Sequence, residues 1–203
     1  MILPSHHSAV RFIAVCLLVL TLTGCVAGQS LKYNDLPALG TPQVQSKGNM
    51  NLEVLDQRPY VLDGTKKNTY IGHYRAGFGN PWDVKTSSGN PFAEEMRQSL
   101  IRELLQVGFS SKNNPADSTL RVVILEWNMD TYINATLWYD LNVLILDPAG
   151  SIIHQQKIAK KQSIEGSFWT GAKSAVEKKA PEIFQQVIHQ IVTDNKEHFA
   201  ISR

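Results

Sequence analysis

The sequence predicts an α+β fold, with a mostly antiparallel sheet of about four strands and two helices packed on one of its faces. Three observations predict it. Two stretches flanking an Asp-Pro-Ala-Gly turn read as the arms of a hairpin, the first alternating apolar and polar residues. Two other stretches repeat apolar residues every three or four positions, as an amphipathic helix does. The order strand, helix, three strands, helix segregates the helices from the sheet.

Residues 50–56 alternate, with Leu52 and Val54 on one face, and Asp56-Gln57-Arg58-Pro59 closes the strand, since proline ends ladder pairing. Asp56 and Arg58 read as a local ion pair at a strand end, with a functional pair as the sharper reading. Residues 70–75 suit a short strand that runs into a loop. Asn90 and Pro91 open the first helix as cap and first-turn residue. Phe92, Met96, Leu100 and Leu104 form its apolar stripe, Glu94 and Glu95 sit in the turn that the helix dipole favours for acids, and Gly108 stops it. Residues 119–127 are apolar on both faces, as a central strand is.

Residues 131–146 give one unbroken apolar face, Leu137, Tyr139, Leu141, Val143 and Ile145. The opposite face, Thr136, Trp138, Asp140 and Asn142, is wetter. Asp147-Pro148-Ala149-Gly150 suits a type I turn, and residues 151–163 return as the second arm. The last helix starts near Ala172, meets Pro181 as a kink or restart, and continues with Ile183, Phe184, Val187, Ile188, Ile191 and Val192.

The N-terminus has a different character. Arg11 precedes an apolar run of residues 12–22, too short to span a bilayer but suited to the core of a secretory signal. Leu22-Thr23-Gly24-Cys25 directly follows and matches what a lipoprotein signal peptidase reads. The expectation is cleavage before Cys25, acyl chains on Cys25 and a folded domain hanging from that anchor. The plainer reading is an ordinary signal peptide cut near a chance cysteine. The domains expected are a signal peptide (1–24), a lipidated N-terminus with a flexible tether (25–48) and one α+β domain (49–203). Val26, rather than Asp, at the next position favours the outer membrane, with the domain in the periplasm.

Composition excludes several function classes. Cys16 leaves with the signal and Cys25 carries lipid, so no disulfide, cysteine zinc site or thiol nucleophile remains. Arg11 is the only charged residue ahead of Cys25, and the full chain carries a net charge of +2. A chain so close to neutral gives no electrostatic case for nucleic acid. His73, His154, His189 and His198 show no metal-ligand spacing, and no Gly-x-Ser-x-Gly elbow is present. His189 reads as a helix-flank residue. No metal and no cofactor are expected beyond the covalent lipid.

The candidate partner-binding residues are Tyr70, Tyr74, Phe78 and Trp82, from a stretch where rings alternate with glycines, and Trp138 and Asp140 on the wetter strand face. Aromatic rings among glycines make adaptable contact surfaces. The plainer reading folds these rings onto the core and leaves Asp140 as a cross-strand hydrogen-bonding residue.

The layout resembles the YajG-like family of Gram-negative lipoproteins over about residues 50–200. The resemblance rests on Leu22 to Cys25, on Asp56-Gln57-Arg58, on Leu104-Leu105 through Gly108-Phe109, on the strand from Leu120 to Leu125, on Asp140, and on Glu165-Gly166-Ser167-Phe168. It implies a lipoprotein of the outer membrane with no established reaction, and the ring-and-glycine stretch stands outside the family pattern. The expected function is a non-enzymatic, outer-membrane-anchored lipoprotein that binds an envelope protein or itself. The alternative is an auxiliary lipoprotein of a lipid or glycolipid transport or envelope assembly system, with a hydrophobic slot between helices and sheet that takes a lipid. An enzyme acting on envelope polymers would need a convergent carboxylate pair, and the sequence names none.

Overall fold

The computed structural model describes residues 29–199, except 34–35, 44, 76–80, 113, 116 and 167–171. The signal, Cys25 and Phe78 lie outside the described residues. In chain order the elements are β1 (Ser30–Leu31), β2 (Gly48–Asp56), α1 (Pro59–Leu62), β3 (Tyr70–Arg75), β4 (Pro81–Thr86), α2 (Phe92–Gln106), β5 (Phe109–Ser111), β6 (Thr119–Thr131), β7 (Ala135–Leu146), β8 (Ile152–Ile164) and α3 (Lys173–Asn195), with a 3-10 turn at Lys196–His198.

The expected β7–β8 hairpin forms, pairing Leu141 with Ile158 and Ala135 with Ile164. Its turn closes through Gly150 N–H to the Asp147 carbonyl at 2.9 Å, with Gly150 at φ +85°, where a side chain is disfavoured. β6 pairs antiparallel with β7 along its length, from Thr119 opposite Leu146 to Thr131 opposite Ala135.

The sheet as a whole corrects the expectation of a mostly antiparallel sheet of about four strands. Among the described residues it has eight strands and is mixed. β2 runs parallel to β5 and β6, β3 parallel to β6, and β1 parallel to β4. Alternation in a sequence specifies which face a strand buries, not which strand lies beside it. Here the chain leaves β2, crosses through α2 and returns as β6 in the same direction, the crossover that parallel pairing requires. β1 and β5 hold two and three residues, too few to show a period. β4 begins at Pro81 inside what reads as a loop.

α2 and α3 pack on one face of this sheet. Tyr33, Phe92, Trp127 and Phe184 meet there, with ring centroids 4.5–6.1 Å apart. The Trp127 indole N–H donates to the Tyr33 hydroxyl at 3.3 Å, so the polar handles of the cluster are paired. Burying each such ring is worth about 1.5–3 kcal/mol. α3 runs through Pro181 without ending, its stripe Val176, Phe184, Val187, Ile188, Ile191 and Val192 buried.

Much of the segment expected as a tether packs on the domain. Leu31 and Tyr33 enter the core. Gln43 N–H donates to the Gln106 carbonyl and Lys47 N–H to that of Gly108. Just ahead of both, the Leu39 and Gly40 amides donate to the fully buried Glu103 carboxylate at 3.0 and 2.9 Å, which also meets His189 Nδ1 at 2.6 Å and accepts from the Gln185 amide at 3.4 Å. His189, expected as a plain helix-flank residue, thus closes a buried polar node.

Candidate functional site: the open face of the sheet

β2 and β3 share one edge of β6. β2 pairs with it from Asn51 opposite Thr119 to Asp56 opposite Ile124, and β3 joins only at Asp130 and Thr131. Between the two, β6 has no strand on this side. Its main-chain groups are met by side chains instead. Trp127 N–H donates to Glu126 Oε1 at 3.0 Å and Met129 N–H to Asn128 Oδ1 at 2.8 Å. The Trp127 carbonyl accepts from Arg58 at 3.3 Å and from the Tyr60 hydroxyl at 3.0 Å. Unpaired, these buried groups would each cost free energy.

Arg58 is the centre of this seam and is fully buried. Asp56 holds it in a fork, both contacts 2.7 Å, and the same guanidinium donates to the Tyr70 and Asn68 carbonyls at 2.6 and 3.4 Å. It lies over the Phe92 and Tyr60 rings at 5.2 and 5.5 Å. Burial works against its charge, but the hydrogen bonds and charge of Asp56 outweigh burial and raise the Arg58 pKa. The local ion pair read from the sequence is therefore a structural clasp that joins β2, β3 and β6.

Beyond the seam lies the face of the sheet turned away from α2 and α3. Glu126, Asn128 and Asp130 of β6 point to it, and β7 sets Asp140, Trp138 and Thr136 opposite them in that order. Arg75 grips Asp130 with two contacts of 2.9 and 2.7 Å, and His73 Nε2 lies 3.2 Å from the same carboxylate. The Arg75 hydrogen bonds, with His73 adding, hold Asp130 below the usual carboxylate range. The Tyr70 hydroxyl donates to Asn128 Oδ1 at 3.1 Å and lies 3.3 Å from His73 Nδ1. Burial foremost, then the carboxylates around it, pushes the Tyr70 phenol up to about 12. Arg75, Asp130, Tyr132, Asn134, Thr136, Trp138 and Lys161 line a cleft of about 410 Å³ at the end of this face.

The structure divides the candidate residues chosen from sequence. Trp138 and Asp140 are on the open face, Trp138 in the cleft. Tyr74 pairs with Trp82 across β3 and β4 and points to the opposite, helix-covered side, where Tyr74 packs against the core. Tyr70 is buried, and a bulge between it and Gly72 turns its hydroxyl toward Asn128. These rings form no common surface. Sequence reasoning missed Arg75, Asp130, Asn134 and Lys161. Alternation alone placed Thr136 and Trp138 on the wet face, but the partners across the strands came only from the register.

The face also holds a carboxylate pair that the sequence did not name, Glu126 directly opposite Asp140. Glu126 accepts from the Tyr60 hydroxyl at 2.6 Å as well as from Trp127 N–H, and Asp140 pairs with Lys157 at 3.0 Å. Each is committed to a neighbour, and their mutual repulsion is offset there. In the cleft, Asp130 is saturated by Arg75 and His73 and is a poor proton donor. Among the described residues no three His, Cys, Asp or Glu side chains converge as a metal site. What the cleft offers is an indole face, two cations and an amide around one paired carboxylate, which suits recognition of a polar ligand with a flat or apolar part.

No family model matches the sequence, and no curated protein matches it. Among solved structures, protein XCC0632 from Xanthomonas campestris, of family DUF330, is similar with a TM-score of 0.55 and 12% identity, over 84% of this chain and 99% of that one. An uncharacterised protein gives a TM-score of 0.49 at 11% identity over 83% of this chain and 99% of that one. Uncharacterised lipoprotein B from Nitrosomonas europaea gives 0.36 at 12% identity over 77% and 94%. At such identities the likeness is one of fold, and this chain shares its α+β fold with the Xanthomonas protein.

Proposed function

We propose that this chain is a non-enzymatic envelope lipoprotein, held by acyl chains on Cys25 in the outer membrane, whose open sheet face binds an envelope protein or a second copy of the chain. The observation that carries the binding reading is the cleft on the face turned away from α2 and α3, with Trp138 and Lys161 side by side on paired strands. Leu22-Thr23-Gly24-Cys25 supports the anchor, Val26 the choice of membrane, and the YajG-like resemblance agrees with both. The alternative, a lipid-transport auxiliary with a slot between helices and sheet, is not favoured, because Tyr33, Phe92, Trp127 and Phe184 fill that space with rings in contact.

A photo-crosslinking residue placed at Trp138 in cells tests the reading. The expected outcome is one discrete adduct, to a partner protein or to the chain itself, that a probe at the exposed Leu105 of α2 does not give. Adducts from Leu105 and none from Trp138 would move the binding surface to the helices. Acyl chains on Cys25 are read separately from the mass of its peptide.

A further inference from the structure

We infer that the pole of the domain carrying Trp82, Tyr132 and Ile133 rests on the lipid surface that holds the anchor. The inference depends on the proposed acylation of Cys25. It follows from where the described chain starts. β1 is parallel to β4, with Ser30 beside Lys85, and Lys85 N–H donates to the Gln29 carbonyl. The chain ahead of Gln29 thus enters from the pole at which β4 begins, with Pro81 and Trp82. The four residue steps from Cys25 to Gln29 reach no more than about 14 Å. From Lys85 back to Trp82 is roughly 10 Å along the strand. With Gln29 and Leu31 bonded to β4 and its loop and Tyr33 in the core, the lipid sits close to this pole.

The pole presents what a lipid interface takes. Trp82 pairs with Tyr74, and Tyr74 with Thr131, so Trp82 shares a rung of the sheet with the residue before Tyr132. Trp82 is 39% exposed, Tyr132 49% and Ile133 58%. Trp82 lies toward the helix side and Tyr132 lines the cleft on the other, so they bracket the pole, with Ile133 at the tip of the β6–β7 turn. The turn is held rigid: Tyr132 N–H donates to the Asn134 carbonyl at 2.9 Å, Gly166 N–H to Asn134 Oδ1 at 3.0 Å, and Gly166 packs where a Cβ would strike the Ile133 carbonyl. Tryptophan and tyrosine rings, apolar in body and polar at one edge, favour the boundary between acyl chains and headgroups. A short anchor makes their contact with that boundary an intramolecular event.

The test uses the full acylated chain in vesicles of phosphatidylethanolamine and phosphatidylglycerol, with and without lipids brominated on the acyl chain, which quench a tryptophan on contact. Trp169→Phe is present throughout, leaving Trp82, Trp127 and Trp138. The mass of the Cys25 peptide is checked first, and absence of acyl groups overturns the anchor reading itself. With acylation confirmed, brominated lipid is expected to quench the emission, Trp82→Phe to remove most of that quenching, and Ile133→Ser with Tyr132→Ser to weaken it while circular dichroism is unchanged. Quenching that survives Trp82→Phe, or that disappears instead with Trp138→Phe, overturns the assignment of this pole.

Discussion

Arg58 and Glu103 are both fully buried, and both gather main-chain groups of other segments. They do so with opposite chemistry. Arg58, a donor only, collects the carbonyls of Asn68, Tyr70 and Trp127, where β6 lacks a neighbouring strand. Glu103, an acceptor when ionised, collects the amides of Leu39 and Gly40, where an irregular segment crosses α2. The difference lies in the counter-charge. Asp56, two residues away and nearly buried, neutralises Arg58. Glu103 meets no Lys or Arg ion-pair partner among the described residues; it has His189, a third exposed, beside it and relies on hydrogen bonds. Arg58 lies inside the sheet and Glu103 at its wrapping, so losing one opens the architecture and losing the other loosens a strap.

The largest effect is expected from Arg58→Met. It strands Asp56 and leaves the Tyr70 carbonyl without its closest partner, at a cost of about 3–5 kcal/mol, read by chemical denaturation. Arg58→Lys recovers little, because an ammonium cannot reproduce the planar fork on Asp56. Near-native stability of Arg58→Met would show that the seam closes without its clasp. Glu103→Ala comes next, at about 2–3 kcal/mol from lost charge-assisted hydrogen bonds. Its signature is local: hydrogen exchange should quicken at the Leu39 and Gly40 amides before it does in β6. Uniform quickening across the sheet would erase the distinction between the two sites.

Each charge has a glycine in a segment it holds, Gly72 in β3 for Arg58 and Gly40 for Glu103, which sharpens the comparison. A Cβ on Gly72 would stand 2.6 Å from the Met129 carbonyl oxygen, main chain that cannot give way, and Gly72 has φ +153°. A Cβ on Gly40 would meet the Gln106 Cβ at 2.7 Å and Glu103 Oε1 at 3.0 Å, both on α2, so the irregular segment carrying Gly40 must itself shift to make room. Gly72→Ala is expected to cost about 1–3 kcal/mol and Gly40→Ala clearly less. Equal costs in thermal melts would show that the strap is as stiff as the seam.

The smallest effect belongs to the exposed rim of the seam. Asp130 is held below its ordinary 3.8 by Arg75 foremost. A depressed carboxylate contributes stability above its unfolded value and loses it as pH falls through the folded one. Asp130→Asn should therefore destabilise modestly at neutral pH and converge on the wild type only in acid, as pH falls through the depressed folded pKa of Asp130. A mutational difference that persists in acid would mean that Asp130 acts through packing rather than charge.

The long elements were legible because period and burial coincide in them. β7 alternates with hardly a break, and the α2 stripe recurs every four residues. The neighbours of β2 were not legible, because parallel pairing depends on how the chain returns after α2. Asp56-x-Arg58 was visible as a pair, but nothing local indicates that its guanidinium would serve carbonyls from β3 and β6. Gly72 inside an aromatic strand was the one signal of close backbone approach, as an interior glycine usually is. The described rings of the ring-and-glycine stretch do not share one face, since a β-strand sends successive side chains to opposite faces. Tyr74 and Trp82 therefore sit across the sheet from Trp138.

β1 is only two residues long, yet its direction decides how the molecule carries load. A pull on the chain ahead of Gln29 acts along the strand axis. The bonds from Lys85 N–H to the Gln29 carbonyl and from Ser87 N–H to the Leu31 carbonyl then resist together, in shear, rather than opening one at a time as in a peeled zipper. Leu31 and Tyr33, buried just downstream, act as a knot behind that short splice, so tension at the N-terminus is delivered to the ring cluster of Phe92, Trp127 and Phe184.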